Sequence, residues 1–168
     1  MTGAPARIVV ADANIIINLI HAGRRTLLGA LPGYEFVVPE DVVSEVSDPV
    51  QREALASALA AGHVRQEAIT ASVELTRYAD LRQIIGKGEA ACLTLAESRG
   101  WLIASDEKRR FRRETLARLG SGRLVTTAGL FVLAIRAGVL SVAEADEAKA
   151  ILEQHRFRMP FGSFSEVV

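Results

Sequence analysis

The chain has 168 residues, with 20 basic and 20 acidic side chains and 49% hydrophobic residues, which suits one domain with a real core. No apolar run approaches the roughly 18 residues needed to span a bilayer. Met1 to Arg7 carries no apolar stretch of the secretory kind, and the one cysteine, Cys92, has no partner for an internal disulfide. These features point to a cytoplasmic protein with no membrane role, and zero net charge gives no global pull toward nucleic acid.

In chain order, Ile8 to Ala11 is an apolar, β-branched run, as in a strand buried on both faces. Asn14 to Ala30 reads as helix interrupted near Gly23, and Glu35 to Val38 as a second short strand. Pro39 suits the first turn of a helix through Val46. Pro49 to Ala61 is a further helix, stopped by Gly62, and His63 to Arg65 a short edge strand. Thr70 to Ile85 reads as helix with Val73, Arg77 and Leu81 on one side. Gly86-Lys87-Gly88 breaks the chain, and Glu89 opens a helix to Arg99 with Gly100 as its stop.

Trp101 to Ser105 is the next strand and Glu107 to Leu119 a basic helix. Leu124 to Thr126 is a short strand, followed by a helix to Arg136. In the last helix, Ser141 to Glu153, Ser141 and Glu144 have the spacing of a capping box. The tail from Phe157 to Val168 is aromatic and reads as weakly structured. The apolar sets Leu27, Leu28, Leu31 and Leu130, Leu133, Ile135 serve either as core or as the seam of a homodimer, and core is the commoner use. With no repeat and no long linker, residues 1–168 form one domain. Alternating strands and helices with buried strands make it an α/β fold with a mostly parallel sheet. Right-handed crossovers then put the carboxyl ends of the strands, where ligands usually bind, on one edge.

Two acids fall at that edge: Asp12 closes the first strand and Asp106 follows the fourth. Glu45 and Glu89 lie on flanking helices. Singly, each has an ordinary explanation. Asp12 and Asp106 suit N-caps of the helices after them, Glu45 suits the surface, and Glu89 suits the positive end of its helix. Jointly they occupy segment ends that one sheet edge would gather. Two carboxylates at 4 Å repel by about 4 kcal/mol at an effective dielectric near 20. A hard divalent cation such as Mg²⁺ or Mn²⁺ removes that repulsion and can activate water. His21, His63 and His155 show no ligand spacing, which argues against zinc. Asn14, Ser105, Thr126 and Thr127 are placed to orient carboxylates, although capping explains each as well. Between Arg99 and Arg123 eight basic residues face three acids, a local charge of +5. Lys108, Arg109, Arg110, Arg112 and Arg113 are candidate phosphate contacts, and a solvated helix face is the equal alternative.

Four segments carry a family likeness: Val9-Val10-Ala11-Asp12-Ala13-Asn14, Val38 through Val46, Gly86-Lys87-Gly88-Glu89-Ala90-Ala91, and Leu102 through Arg109. In combination the chain resembles the PIN-domain family of metal-dependent ribonucleases. Ala137-Gly138-Val139-Leu140 and Arg156-Phe157-Arg158 resemble a prokaryotic PIN subgroup with a glycine-flanked third acid, itself similar to the VapC-type toxins of toxin–antitoxin pairs. The resemblance implies a three-layer α/β/α sandwich with a parallel sheet of about five strands. It further implies a Mg²⁺ or Mn²⁺ site on Asp12, Glu45, Glu89 and Asp106, hydrolysis of RNA within the chain, and a small antitoxin partner. The family's third acid is often aspartate, and here the longer Glu89 stands there. Glu40 and Asp41 compete with Glu45, and Glu107 with Asp106. The alternatives are a non-catalytic RNA- or protein-binding module and a phosphatase on a similar sheet. The phosphatase wants an aspartate at position 14, where this chain has Asn14.

Overall fold

A computed structural model describes residues 3–168. Met1 and Thr2, at the start of the segment read as lacking a signal, lie outside the described residues. The elements run β1 (Arg7–Ala11), α1 (Ala13–His21), α2 (Leu27–Ala30), β2 (Tyr34–Pro39), α3 (Glu40–Glu45), α4 (Pro49–Ala60) and β3 (Val64–Glu67). They continue with α5 (Ser72–Leu81), α6 (Lys87–Arg99), β4 (Leu102–Ala104), α7 (Arg110–Leu119), β5 (Leu124–Val125), α8 (Thr127–Arg136) and α9 (Val142–Gln154). Among the described residues no helix is long and apolar enough to cross a membrane.

The sheet is parallel throughout, in the order β3-β2-β1-β4-β5. β1 sits at its centre, with Val9 opposite both Phe36 and Leu102. Val9, Val10 and Ala11 are wholly buried, which is why this strand reads as an unbroken apolar run. Helices cover both faces. α6 packs on β1, β2 and β4 with α3, α5 and α7 beside it, and α1 packs with α4, α8 and α9 on the other side. The result is the expected three-layer α/β/α sandwich. α6 carries no polar stripe because Ala90, Ala91, Cys92, Leu93, Leu95 and Ala96 are all buried; small side chains let it lie close on the sheet. Gly100, at φ 69°, ends it in the left-handed conformation that glycine adopts freely.

Several expectations change in detail. The interruption expected near Gly23 divides Asn14 to Ala30 into two helices, α1 and α2, with Gly23 at φ 67°. α5 is shorter than Thr70 to Ile85, and of the residues placed on one side Val73 is 60% exposed while Leu81 is buried. Its inward face carries Leu81 and Glu74. Glu74 is buried because Arg99 donates to it from Nε at 2.8 Å, while the Thr70 and Ala71 N–H groups close the helix start on the same carboxylate. α7 begins at Arg110, not Glu107. The tail does not lack structure: Phe164 is fully buried, in contact with Phe131 and Phe161, and Asp146 accepts the Phe164 N–H at 2.8 Å. It packs on its own domain. Leu27, Leu28, Leu31 and Leu130 are core residues.

Candidate functional site

The order β3-β2-β1-β4-β5 reverses direction between β1 and β4, so the connections leaving these two strands diverge to opposite faces. The crevice that such a reversal opens beyond the carboxyl ends is the usual ligand position in α/β sheets. Asp12 and Ser105-Asp106 are the residues that leave β1 and β4 at this point.

Asp12 is 3% exposed. One oxygen accepts the Ala13 N–H at 2.8 Å, and the other accepts from Ser105 Oγ at 3.0 Å and Asn14 Nδ2 at 3.4 Å. Burial pushes its pKa up to about 6; the Ala13 and Ser105 donors oppose that rise, and the charges of Glu107 and Glu45 add to it. Glu89, in the first turn of α6, is pushed up to about 7 by burial and then by Glu107, Asp12 and Glu45. Glu45, at the end of α3, accepts the Gly88 N–H at 2.8 Å. A Cβ at position 88 would lie 2.4 Å from Glu45 Oε2, so the missing side chain of Gly88 is what seats this carboxylate. The cluster therefore rests partly on the open first turn of α6, whose free N–H groups favour negative charge.

Asp106 behaves differently. Its carboxylate accepts the Thr127 N–H at 2.8 Å, the Thr127 hydroxyl, and Asn18 Nδ2 at 3.0 Å. Burial raises its pKa against those donors. It thus holds the first turn of α8, not of α7 as the capping alternative had it. Glu107 follows as an exposed residue, linked to Asp12 through Asn14, whose Nδ2 lies 3.1 Å from Glu107 Oε1. Glu107 heads the neighbouring charges acting on both Asp12 and Glu89.

Asn14 and Ser105 both touch carboxylates, as expected, and Ser105 Oγ also accepts the Glu107 N–H at 3.1 Å. Thr126 does not: its hydroxyl accepts the Gly129 N–H at 3.1 Å and caps α8, because β5 ends at Val125 and the helix starts one residue later. Thr127 takes the place expected of it. Asn18 was missed. It lies one turn beyond Asn14 on the same face of α1, and a buried asparagine on an apolar helix needs a partner. That i, i+4 pair was the available signal.

Of the basic candidates, Lys108, Arg109 and Arg112 line a cleft beside Asn14 and Glu107. Arg110 is turned elsewhere, donating to the Ile84 carbonyl at 3.1 Å, and Arg113 is exposed outside the cleft. Cys92 is buried against the Ala11 carbonyl, and burial holds its thiol well above the usual range.

A family model described as a PIN domain matches residues 8–168. The chain belongs to the PIN-domain family. PIN domains are generally nucleases, which supports a nuclease-type enzyme in coarse terms. No curated protein matches the chain. PIN domains typically use divalent ions, and the donors here suit one chemically: oxygen ligands only, with Asp12 and Glu89 raised in pKa by burial and by acidic neighbours whose repulsion a cation would relieve. Among the described residues no three histidine, cysteine or acidic side chains stand close enough to share an ion in this arrangement. Glu45 and Glu89, the longest arms, are the ones that would have to swing in.

Proposed function

We propose that the chain is a divalent-metal-dependent endoribonuclease, and the toxin of a cytoplasmic toxin–antitoxin pair. The observation that carries the reading is the gathering of Asp12, Glu45, Glu89 and Glu107 at the β1/β4 crevice of a PIN fold, with the pKa values of Asp12 and Glu89 raised by burial and by their acidic neighbours. Mg²⁺ or Mn²⁺, when bound, would make water a better nucleophile and neutralise charge on the leaving oxygen of a phosphodiester. Asp12, Glu45 and Glu89 would hold it. Asp106 is the remaining acid of the proposed set: Oδ1, which accepts only the Thr127 N–H, keeps a lone pair that can face the ion, while Oδ2 is taken by the Thr127 hydroxyl and Asn18 and fixes β4 against α8. Glu107 brings a further carboxylate to the open side, where it would accept a proton or orient the attacking water. Ser105 and Asn14 keep Asp12 aimed into the crevice.

Incubation with a panel of single-stranded RNAs and Mn²⁺ tests this reading. The wild type is expected to cut and Asp12→Asn to be inactive. Full activity in the variant would overturn the mechanism. The antitoxin part is tested separately, by finding a small adjacent reading frame whose product binds this chain and blocks cleavage. A second reading, a PIN domain that binds RNA or protein without cutting, rests on the basic lining of the neighbouring cleft, Lys108, Arg109 and Arg112. RNA retention without cleavage under any divalent ion would support it.

A further inference from the structure

A cleft of about 1160 Å³ opens beside Asn14 and Glu107, at the upper limit of a single small-ligand site. One wall is the start of α7, with Lys108, Arg109 and Arg112. The facing wall is residues 155–161, which follow α9. Five basic side chains line the cleft against two acids, Asp106 and Glu107. Among the described residues none of the five is held in an ion pair, whereas Arg24, Arg65, Arg77, Arg99 and Arg118 all are. Five cations outside any close ion pair, against two acids, leave an excess of positive charge in one concavity that calls for a polyanion.

Backbone conformation singles out the same place. Among the described residues two non-glycine positions have positive φ, Arg109 at 62° and Arg156 at 64°. Both are arginines, and both line this cleft from opposite walls. Arg156 makes the left-handed turn that closes α9, its N–H and that of Phe157 reaching back to the Glu153 and Leu152 carbonyls. Arg109, at φ 62° and ψ −126°, lies outside the left-handed helical region, and such backbone at a bulky residue concentrates at ligand clamps. The second wall is well anchored. His155 stacks on His21 with ring centres 3.8 Å apart, Met159 is buried, and Phe164 is locked by Asp146. A wall already fixed loses little entropy on binding. Along it, Arg156-Phe157-Arg158 alternates cation, ring and cation. Phe161 is committed to Phe164, edge-on at 5.0 Å, which leaves the half-buried Phe157 as the ring on offer to the cleft.

We infer that residues 155–161 form the second wall of a groove for single-stranded RNA leading away from the acidic crevice. Arg156 and Arg158 take phosphates opposite Arg109 and Arg112, and Phe157 stacks on an unpaired base. That the polyanion is RNA rests on the nuclease reading above; the groove itself rests on the cleft. Single strands fit because a base must leave its stack to meet an aromatic ring, which a duplex does not permit.

The test is fluorescence anisotropy on a labelled single-stranded RNA without divalent metal, so that binding is read apart from cleavage. Arg156→Gln/Arg158→Gln is expected to bind at least tenfold more weakly at low salt, at about 0.7 salt-slope units per lost phosphate contact, or roughly 1.4 in total. Phe157→Leu should weaken single strands while leaving the salt slope unchanged, and a duplex of the same sequence should compete poorly. Arg7→Gln/Arg52→Gln, which removes as much charge away from the cleft, should bind like the wild type. Unfolding curves establish that each variant is folded. An unchanged affinity and slope in folded Arg156→Gln/Arg158→Gln, equal binding of duplex, or no binding of RNA to the wild type would overturn the groove. Cleavage with Mn²⁺ is scored separately. Cutting with an unaltered KM in the double variant defeats the groove alone, and a wild type that binds RNA, loses that binding in the double variant, yet never cuts with Mn²⁺ defeats the nuclease reading alone.

Discussion

Gly88→Ala isolates how Glu45 is placed. The new Cβ would stand 2.4 Å from Glu45 Oε2 and 2.7 Å from its Cδ, where ordinary contact begins at 3.4 Å. The carboxylate must therefore retreat by about 1 Å, and its 2.8 Å bond to the Gly88 N–H lengthens or breaks. Such a bond to a charged group is worth roughly 1.5–3 kcal/mol at most. Glu45 is exposed, so water replaces much of it. Alanine in place of glycine within α6 returns up to about 1 kcal/mol. Net stability should change by about 1 kcal/mol, a shift of roughly 2–4 °C in Tm for a chain of this size. A 1 Å displacement of a reacting group, by contrast, can remove about a hundredfold in rate. Cleavage kinetics with Mn²⁺ and calorimetric unfolding should thus separate: kcat/KM falls steeply while Tm barely moves. Gly88→Ala/Glu45→Ala should be no slower than Glu45→Ala alone, since both changes act through one carboxylate. Wild-type kinetics in Gly88→Ala, or two losses that multiply, would refute this placement of Glu45.

Other outcomes follow from the same contacts. Arg99, with the Ala71 and Thr70 N–H groups, draws the Glu74 pKa down from 4.5 to about 2, so its stabilisation is full above about 4.5 and drains as pH falls toward 2. Glu74→Gln should flatten that acid limb and cost up to about 3 kcal/mol at neutral pH by denaturant titration. Asp12 and Glu89 have the opposite sign. Their pKa values rise from 3.8 to about 6 and from 4.5 to about 7, so the fold prefers them neutral and metal-free stability declines as pH climbs through that window. Thermal scans should show Mn²⁺ raising Tm more at pH 8 than at pH 5; an equal rise at both would contradict it. Asp106→Ala strands Thr127 and Asn18 and should cost about 2–4 kcal/mol of stability. Glu107→Gln, at an exposed site, should leave Tm unchanged and reduce cleavage.

The sheet was legible because parallel strands buried on both faces must be apolar throughout, as in Ile8 to Ala11, and because glycine and proline mark the breaks between segments. The arrival of Asp12 and Asp106 at one edge follows from the same rule with right-handed crossovers. What escaped was decided by contacts between distant segments. The start of α7 shifts to Arg110 because Arg109, at φ 62° and ψ −126°, is not helical, while Ser105 and Asn14 hold the turn before it through the N–H groups of Glu107 and Asp106. Glu74 lies inward against its polarity because Arg99 comes from another helix to meet it. The basic run from Lys108 to Arg113 splits between cleft and surface by helix geometry, and its partners Arg156 and Arg158 lie far along the chain. No local pattern joins those two stretches; packing of the tail does.

The central claim is that these carboxylates act by holding a divalent ion. Calorimetric titration of Mn²⁺ into the metal-free protein near pH 6.5, in buffers of different ionisation enthalpy, tests it most directly. The wild type should bind Mn²⁺ and release protons, since Asp12 and Glu89 are partly protonated there, and Asp12→Asn should lose the binding while remaining folded. Absence of Mn²⁺ binding to the wild type, or undiminished binding to Asp12→Asn, would contradict the claim.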